Sequence, residues 1–353
     1  MADPTPVLPE HIETIPDVLA YWSDCRPEAE ALLASGGNSL SYAELWHRVA
    51  GISRWLGEHG VPRDSCVLVM APEGLELAVA FLGAASAASA VVVDDTTPAP
   101  ELDRLLHRLS VGGAIVFTEL EASARDTFRR NSVPVFSLDE MLAEISEETA
   151  TLRTPSDSGW TPPSAADRAV IGQTSGTTGM PKLIPRTHRR IVTSGRAHFD
   201  LYGLTPADRA VAVAPITVSL GTTTLLHTIC GGASLVFPRS FAPQQVWDAI
   251  ERERPTWIHA SSGFLEELVR FLRLRPKPVP PSLRFVRVTA APIAPAVCDE
   301  LEGLLGAPLL PAYSTSETGA VCVTLDRPGW RKRGSAGRPV QEVRIVGTDG
   351  ENL

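Results

Sequence analysis

Apolar residues recur at helical spacing between Ser41 and Gly57, at Leu45, Val49, Ile52 and Leu56. They follow Ser41-Tyr-Ala-Glu44, a run with the form of a capping box. Next come a continuous apolar strand over Cys66–Met70, a buried helix over Glu73–Ala85 and a short β-branched strand over Ala90–Val93. Asp94 and Asp95 stop that strand, and Thr96, Thr97 and Pro98 supply turn chemistry. Leu102–Leu109 reads as a helix and Ala114–Phe117 as a strand. Glu147–Asp167, rich in Ser, Thr and Pro without sustained periodicity, is a candidate linker. Alternation then restarts with a strand at Ala169–Gln173, an extended segment at Leu183–Pro185 and a helix from His188 capped by Thr187. Strands follow at Ala210–Ala214, Ser234–Phe237, Trp257–Ala260 and Phe285–Thr289. Between and after them lie helices at Thr222–Ile229, Pro243–Glu253, Gly263–Leu272 and Pro295–Leu305. Such βαβ spacing predicts open α/β layers, parallel strands covered by helices, in both halves of the chain.

Two stretches break the alternation. Arg273–Pro281 carries four prolines and is read as an exposed connection. Val343–Val346 is read as a strand leading into the turn signal Gly347-Thr-Asp-Gly350, so the end at Leu353 is expected to cut through a structural unit.

Composition narrows the class. The 353 residues are 44% hydrophobic and 21% charged, an ordinary globular balance with room for about two domains at ~150 residues each. A net charge of −9 argues against nucleic acid as a partner, so any phosphate site must be local. The five cysteines, Cys25, Cys66, Cys230, Cys298 and Cys322, are widely spaced and form no C-x-x-C pair, which suggests reduced, mostly buried thiols. Residues 1–14 show neither a basic stretch nor an apolar run, and the apolar segment Leu77–Val93 is short for a membrane span. A cytoplasmic location is the expectation.

The chemistry concentrates after the strand at Ala169–Gln173. Thr174–Lys182 reads T-S-G-T-T-G-M-P-K, with four hydroxyls, two glycines and a lysine in nine residues. Hydroxyls and exposed N–H groups can surround phosphate oxygens, Gly176 and Gly179 allow close backbone approach, and Lys182 adds a compact positive charge. A polar hairpin turn would tolerate Gly and Thr, but it gives no reason for a lysine to close the run. A Walker-type loop is disfavoured because Met180 and Pro181 separate the glycine from the lysine, Leu183 follows, and Pro185 opposes an immediate helix.

This run resembles the phosphate-loop signature of the acyl-adenylate-forming superfamily, which includes acyl- and aryl-CoA synthetases, nonribosomal-peptide adenylation domains and luciferases. Ala291-Pro-Ile293 after Thr289 resembles the adenine-site turn G-G-A-P-L of that family. Tyr313-Ser-Thr-Ser-Glu-Thr-Gly319 resembles Y-G-x-T-E, and Gly334-Ser-Ala-Gly337-Arg-Pro339 resembles a later G-x-x-G-x-P segment. The likeness runs from Ser41 to the end of the chain.

The resemblance implies an adenylate-forming N-terminal core of two layered αβα subdomains, with the start of a small β-barrel subdomain. Approximate subdomains are 1–167, 168–330 and, as a truncated β subdomain, 331–353. It also implies ATP- and Mg2+-dependent activation of a small carboxylic acid, followed by thioester formation on CoA or a phosphopantetheinyl carrier protein. Thr174, Ser175, Gly176, Thr177, Thr178, Gly179 and Lys182 would hold the β- and γ-phosphates, Ser316 would touch the α-phosphate, and Glu317 would ligate magnesium. Thr174, Lys182, Ser316 and Glu317 form the implied catalytic set. Tyr313 would stack on adenine beside Ala290, Ala291 and Pro292. Alone, Tyr313 would read as a buried aromatic and Glu317 as a solvated acid; their shared motif reverses both readings. The basic cluster Lys182, Arg186, Arg189 and Arg190 would enrich nucleotide locally.

Departures from the family pattern bear on the substrate. Thr289-Ala290 stands where two glycines are common, and Ser314 replaces the glycine after the tyrosine. Pro215–Thr224 matches the family's substrate-pocket segment and contains no acid, which disfavours an α-amino acid and leaves an aryl or other non-amino acid. Val218, Ser219, Ser261 and Ser262 are pocket candidates by position. His188 is either a pocket residue or a surface histidine beside the cap. Nothing matches the family's later ribose-binding aspartate, hinge or small C-terminal domain, so adenylation is expected to be slow unless that domain is supplied in cis or in trans. The alternative is a non-catalytic or partner-dependent ATP- and acyl-binding module.

Overall fold

The structure, a computed structural model, describes residues 6–117, 120–149, 161–174, 182–275, 281–348 and 351. In chain order the first half contains α1 (Ile15–Cys25), β1 (Glu30–Ala34), β2 (Ser39–Ser41), α2 (Tyr42–Glu58), β3 (Cys66–Met70), α3 (Leu75–Ala87) and β4 (Ser89–Val92). Then come α4 (Ala99–Arg108), β5 (Val111–Val116), α5 (Ala122–Arg130), β6 (Val135–Ser137), α6 (Leu138–Thr149), β7 (Arg168–Thr174) and β8 (Lys182–Thr187). The second half contains α7 (His188–Tyr202), β9 (Arg209–Val211), α8 (Ser219–Cys230), β10 (Ser234–Phe237), α9 (Pro243–Glu253), β11 (Trp257–Ser261) and α10 (Ser262–Leu274). It closes with β12 (Phe285–Thr289), α11 (Pro295–Leu305), β13 (Leu309–Thr315), β14 (Gly319–Val323) and β15 (Arg338–Pro339).

The strands form two sheets, β6-β5-β3-β4-β7-β8 and β15-β14-β13-β12-β11-β9-β10-β1-β2. Interior pairings are parallel, and the antiparallel ones (β7 with β8, β1 with β2, β13 with β14, β14 with β15) lie at sheet edges. Side chains alternate between faces as strand geometry demands. In β3, Val67 and Val69 face one core, whereas Cys66, Leu68 and Met70 face another. In the large sheet, Ile258, Val286 and Val288 pack toward α9–α11, whereas Trp257 and Phe285 join the core shared by both sheets. The result is five layers, with α1, α2, α3, α7 and α8 held between the sheets.

Local chemistry accounts for the inner helices. Ser41 and Glu44 close a reciprocal capping box on α2, a device worth ~1 kcal/mol. Helix α3 is apolar on nearly every face because every face is buried, which explains why Leu77–Val93 reads as so long an apolar run. Each fully buried Leu, Ile or Phe in this layer contributes roughly 1.5–3 kcal/mol. No helix among the described residues is long and apolar enough to cross a membrane.

Sheet membership does not follow the division expected at residue 167. Strands β7 and β8 lie beyond it yet join the small sheet beside β4, while β1 and β2 lie before it yet extend the large sheet beside β10. The strand expected at Val343–Val346 does not form: Val346 makes an isolated bridge. Ile345 and Val346 are 69% and 53% exposed, so no sheet face is available to bury them. The Gly347 N–H donates to the Glu351 carbonyl at 2.8 Å, while residues 349–350 of the turn signal lie outside the described residues. Most of the expected linker, residues 150–160, lies outside the described residues, as do 276–280 of the proline-rich connection. Helix α10 runs on into that connection as far as Leu274. All five cysteines are free thiols; Cys66 and Cys230 are buried, but Cys25 is exposed.

Candidate active site

The two sheets meet in one cavity of about 770 Å³. Its outer end is made by the β7–β8 pair and the turn between β13 and β14. Thr174 and Lys182 are register partners, so the segment 175–181 links two antiparallel strands. That segment, with Ser175, Gly176, Thr177, Thr178 and Gly179, lies outside the described residues, as does the Thr174 side chain.

Lys182 is exposed, with its Nζ 4.0 Å from Glu317 Oε1. Both side chains are more than half exposed, so this ion pair adds little to stability. What it does is hold an ammonium and a carboxylate together at the cavity mouth. Thr315 shapes the turn beneath them, its Oγ1 accepting the Thr318 N–H at 3.0 Å. Ser316 Oγ lies 3.5 Å from Ser219 Oγ, which accepts from Arg186 Nη2 at 2.7 Å. Burial and the neighbouring Arg190 charge pull the Arg186 pKa down from its ordinary value. Arg190 lines the same cavity and donates to the Thr318 carbonyl. Arg189 turns away from this basic cluster to pair with Glu13 at 2.7 Å.

The inner end is polar although it lies within the central layer. Register pairs His259 with Arg287 and Ser261 with Thr289 across β11 and β12, placing all four on the face toward α7 and α8. His259 is bonded on both nitrogens, to Thr224 Oγ1 at 3.1 Å and Thr289 Oγ1 at 2.9 Å. His227 on α8 meets Ser194 Oγ on α7 through Nε2 at 3.0 Å, and the His198 ring lies tilted beside it with ring centroids 4.6 Å apart. Burial, first of all, drives the pKa of each of these imidazoles down, His227 to about 3, and Arg287 adds to the effect in all three. Arg287 is 3% exposed, and its Nε and Nη1 have no partner. The Tyr202 hydroxyl, His198 Nε2 and His227 Nδ1 are likewise unpartnered.

The cavity thus gathers Lys182's partner Glu317, Ser316, Ala290, Val218, Ser219 and Ser261. Ser262 does not join them: it is buried in the first turn of α10, behind Ser261, which caps that helix. His188 is brought to neither of its expected places. It is 1% exposed, away from the cavity lining, and its Nδ1 accepts the Ile15 N–H at the start of α1 at 3.2 Å. Burial lowers its pKa to about 4, so the imidazole stays neutral and able to accept. Tyr313 is 54% exposed on β13 rather than buried. Ala291 and Pro292 follow Ala290 at the end of β12 without lining the cavity. The pocket segment 215–224 carries no acid of its own, but Glu73 reaches it from outside the cavity, accepting the Ile216 N–H at 2.8 Å.

Arg287, His198, His227 and Tyr202 escaped the sequence reading. The available signal was a charged residue at the centre of the five-residue buried strand Phe285–Thr289, flanked on both sides by valine.

The mouth fits a nucleotide and a hard cation. Glu317 and the hydroxyls of Thr315, Ser316 and Thr318 offer oxygen donors, while Lys182, Arg186 and Arg190 offer phosphate partners. Among the described residues no group of three or more His, Cys, Asp or Glu could cage a metal. A cation here would rely on one carboxylate plus ligand phosphates, the habit of Mg2+.

A layered α/β core with a cationic, hydroxyl-rich mouth over a cavity of about 770 Å³ fits an adenylate-forming enzyme of the ligase class. The chain belongs to the AMP-binding enzyme family, whose profile matches residues 19–353. Oxalate–CoA ligase of Arabidopsis thaliana is 27% identical over 352 residues, covering 96% of this chain and 68% of that protein. The anthranilate CoA ligase AuaEII in complex with anthranoyl-AMP superposes with a TM-score of 0.84 at 21% identity, over 96% of this chain and 66% of that one. O-succinylbenzoate coenzyme A synthetase from Bacillus subtilis, in complex with ATP and magnesium ion, gives a TM-score of 0.81 at 21% identity, over 95% and 68%. The chain spans about two thirds of the length of these proteins.

Proposed function

We propose that this chain activates a small, non-amino carboxylic acid with ATP, giving an acyl-adenylate and pyrophosphate, with CoA as the thiol that later accepts the acyl group. The observation that carries the reading is the 4.0 Å approach of Lys182 to Glu317 beside Ser316, at the mouth of a cavity large enough for a small acid. Attack of a carboxylate on the α-phosphorus brings two anions together, so the protein's work is alignment and charge neutralisation. Lys182, Arg186 and Arg190 supply fixed positive charge, Ser316 supplies a hydroxyl at the α-phosphate, and segment 174–181 supplies hydroxyls and glycines for the outer phosphates. Glu317 would hold Mg2+, which neutralises phosphate charge when bound. Tyr313, exposed on β13, offers a face for adenine. The acid-free segment 215–224 gives an α-ammonium group no partner, consistent with a non-amino acid. The ATP and magnesium ion bound by the B. subtilis synthetase and the CoA chemistry of the relatives support the cofactor and acceptor.

The test is acid-dependent release of pyrophosphate and detection of the acyl-adenylate by mass spectrometry, with Mg2+ titrated. Glu317→Gln is expected to weaken the Mg2+ dependence, and Lys182→Ala to lower turnover by roughly 10²-fold or more, the scale of one lost charge-stabilising group. A Mg2+ response identical in the wild type and Glu317→Gln would overturn the assignment.

A further inference from the structure

The guanidinium of Arg287 is a buried cation with no acid paired to it among the described residues. Its Nε and Nη1 have no partner, and the residue is 3% exposed. Leaving a charge in that state costs several kcal/mol, and native folds avoid it unless a ligand supplies the counter-charge. The described lining of the cavity contains one acid, Glu317, and that carboxylate stands at the exposed mouth beside Lys182. Burial keeps the imidazoles around Arg287 neutral, so they bring no negative charge to offset it. The unpartnered Tyr202 hydroxyl lies in the same lining, with the Arg287 Cζ 5.9 Å from the centre of its ring. Arg287, Tyr202, His198 and His227 therefore line one cavity, where Arg287 Nε and Nη1, His198 Nε2 and His227 Nδ1 have no partner among the described residues and the Arg287 guanidinium faces the Tyr202 phenol. This is the donor set of an oxyanion receptor.

A single carboxylate cannot serve both ends. The reacting one must lie at the mouth, with Ser316, Lys182 and Glu317, and neither Nε nor Nη1 of Arg287 bonds to any of these. We infer that the acid activated here carries a second oxyanion, a carboxylate or sulfonate, which seats on Arg287 while the first carboxylate is presented at the mouth. This rests on the adenylation reading and adds the substrate class to it. Arg287 is then a specificity-determining residue: it touches the far end of the substrate and takes no part in bond making.

The test uses the full chain with ATP and Mg2+ and matched acids in which a distal methyl is exchanged for an oxyanion. 4-Methylbenzoate is compared with benzene-1,4-dicarboxylate and 4-sulfobenzoate, and pentanoate with glutarate. Acid-dependent pyrophosphate release and calorimetric acid binding are both read. In the wild type the doubly anionic member is expected to be favoured by roughly 30-fold or more in kcat/KM, mainly through KM. Arg287→Met is expected to bring that ratio near or below one, and Arg287→Lys to restore part of it. The comparison of sulfonate with carboxylate tells which oxyanion is preferred. If Arg287→Met folds poorly, the wild-type ratios decide alone. Equal or better turnover of the methyl acids by the wild type overturns the inference and leaves the adenylation reading standing. Pyrophosphate release with no acid in either series overturns that reading, and the inference with it.

Discussion

Ala290 holds φ at 73°, a backbone region that a Cβ disfavours by roughly 1–2 kcal/mol. It stands at the end of β12, where the resembling family commonly has glycine, so the sequence departure and the strain are one fact seen twice. Ala290→Gly is expected to relieve the strain but to add unfolded-chain entropy, for a net stabilisation of up to about 1 kcal/mol. Denaturant titration checks this; a loss of stability would show that the methyl packs usefully against its surroundings. Other residues divide by the kind of signal they carry. Ser316 and Glu317 were legible because their motif is contiguous and ends a strand. Arg287 was not, since only the register of β12 with β11, a pairing of segments 28 residues apart, shows that it faces the same cavity as His259. His188 misled because its partner, the Ile15 N–H, is 173 residues away.

At the level of elements, contiguous patterns were read well. Strands β3, β10 and β12 and helices α9 and α11 match their sequence bounds, and Thr187 caps α7 as expected. What escaped was pairing: β1 joins β10 across more than 200 residues, and no local pattern encodes that choice. The α7–α8 contact matters most for the site, because Ser194, His198 and Tyr202 stand on one helix and His227 on the other. A Cβ at Gly195 would lie 2.5 Å from the Cys230 Cβ, so even alanine must push the helices apart. Gly195→Ala is expected to cost roughly 1–3 kcal/mol and to raise the KM for acid more than that for ATP. Thermal unfolding and steady-state kinetics measure the two effects. Unchanged stability would mean that the helices separate freely and that the cavity wall is soft.

For the whole molecule, four buried histidines bind the fold to pH. Burial holds His188 at about 4, His227 at about 3, and His198 and His259 well below the ordinary value near 6.5. In the unfolded chain all four take up protons as pH falls through about 6.5, while the folded chain cannot until far lower. Protons bound by the unfolded state alone favour it, so stability is full above pH ~6.5 and is lost as pH falls toward 4 and 3. His188 by itself forfeits about 3 kcal/mol over its window, a large share of the 5–15 kcal/mol typical of a folded protein. When it does protonate, Nδ1 can no longer accept the Ile15 N–H, so the start of α1 loses its anchor. Calorimetry from pH 8 to 4 is expected to show a flat Tm down to about 6.5, a steepening fall below it, and unfolding near pH 4–5 at room temperature. His188→Gln keeps an acceptor and removes one titration, so its Tm should fall less steeply over the same interval. A wild-type Tm that stays level to pH 5 would mean that these imidazoles are solvated and charged, and that the polar end of the cavity is open to water.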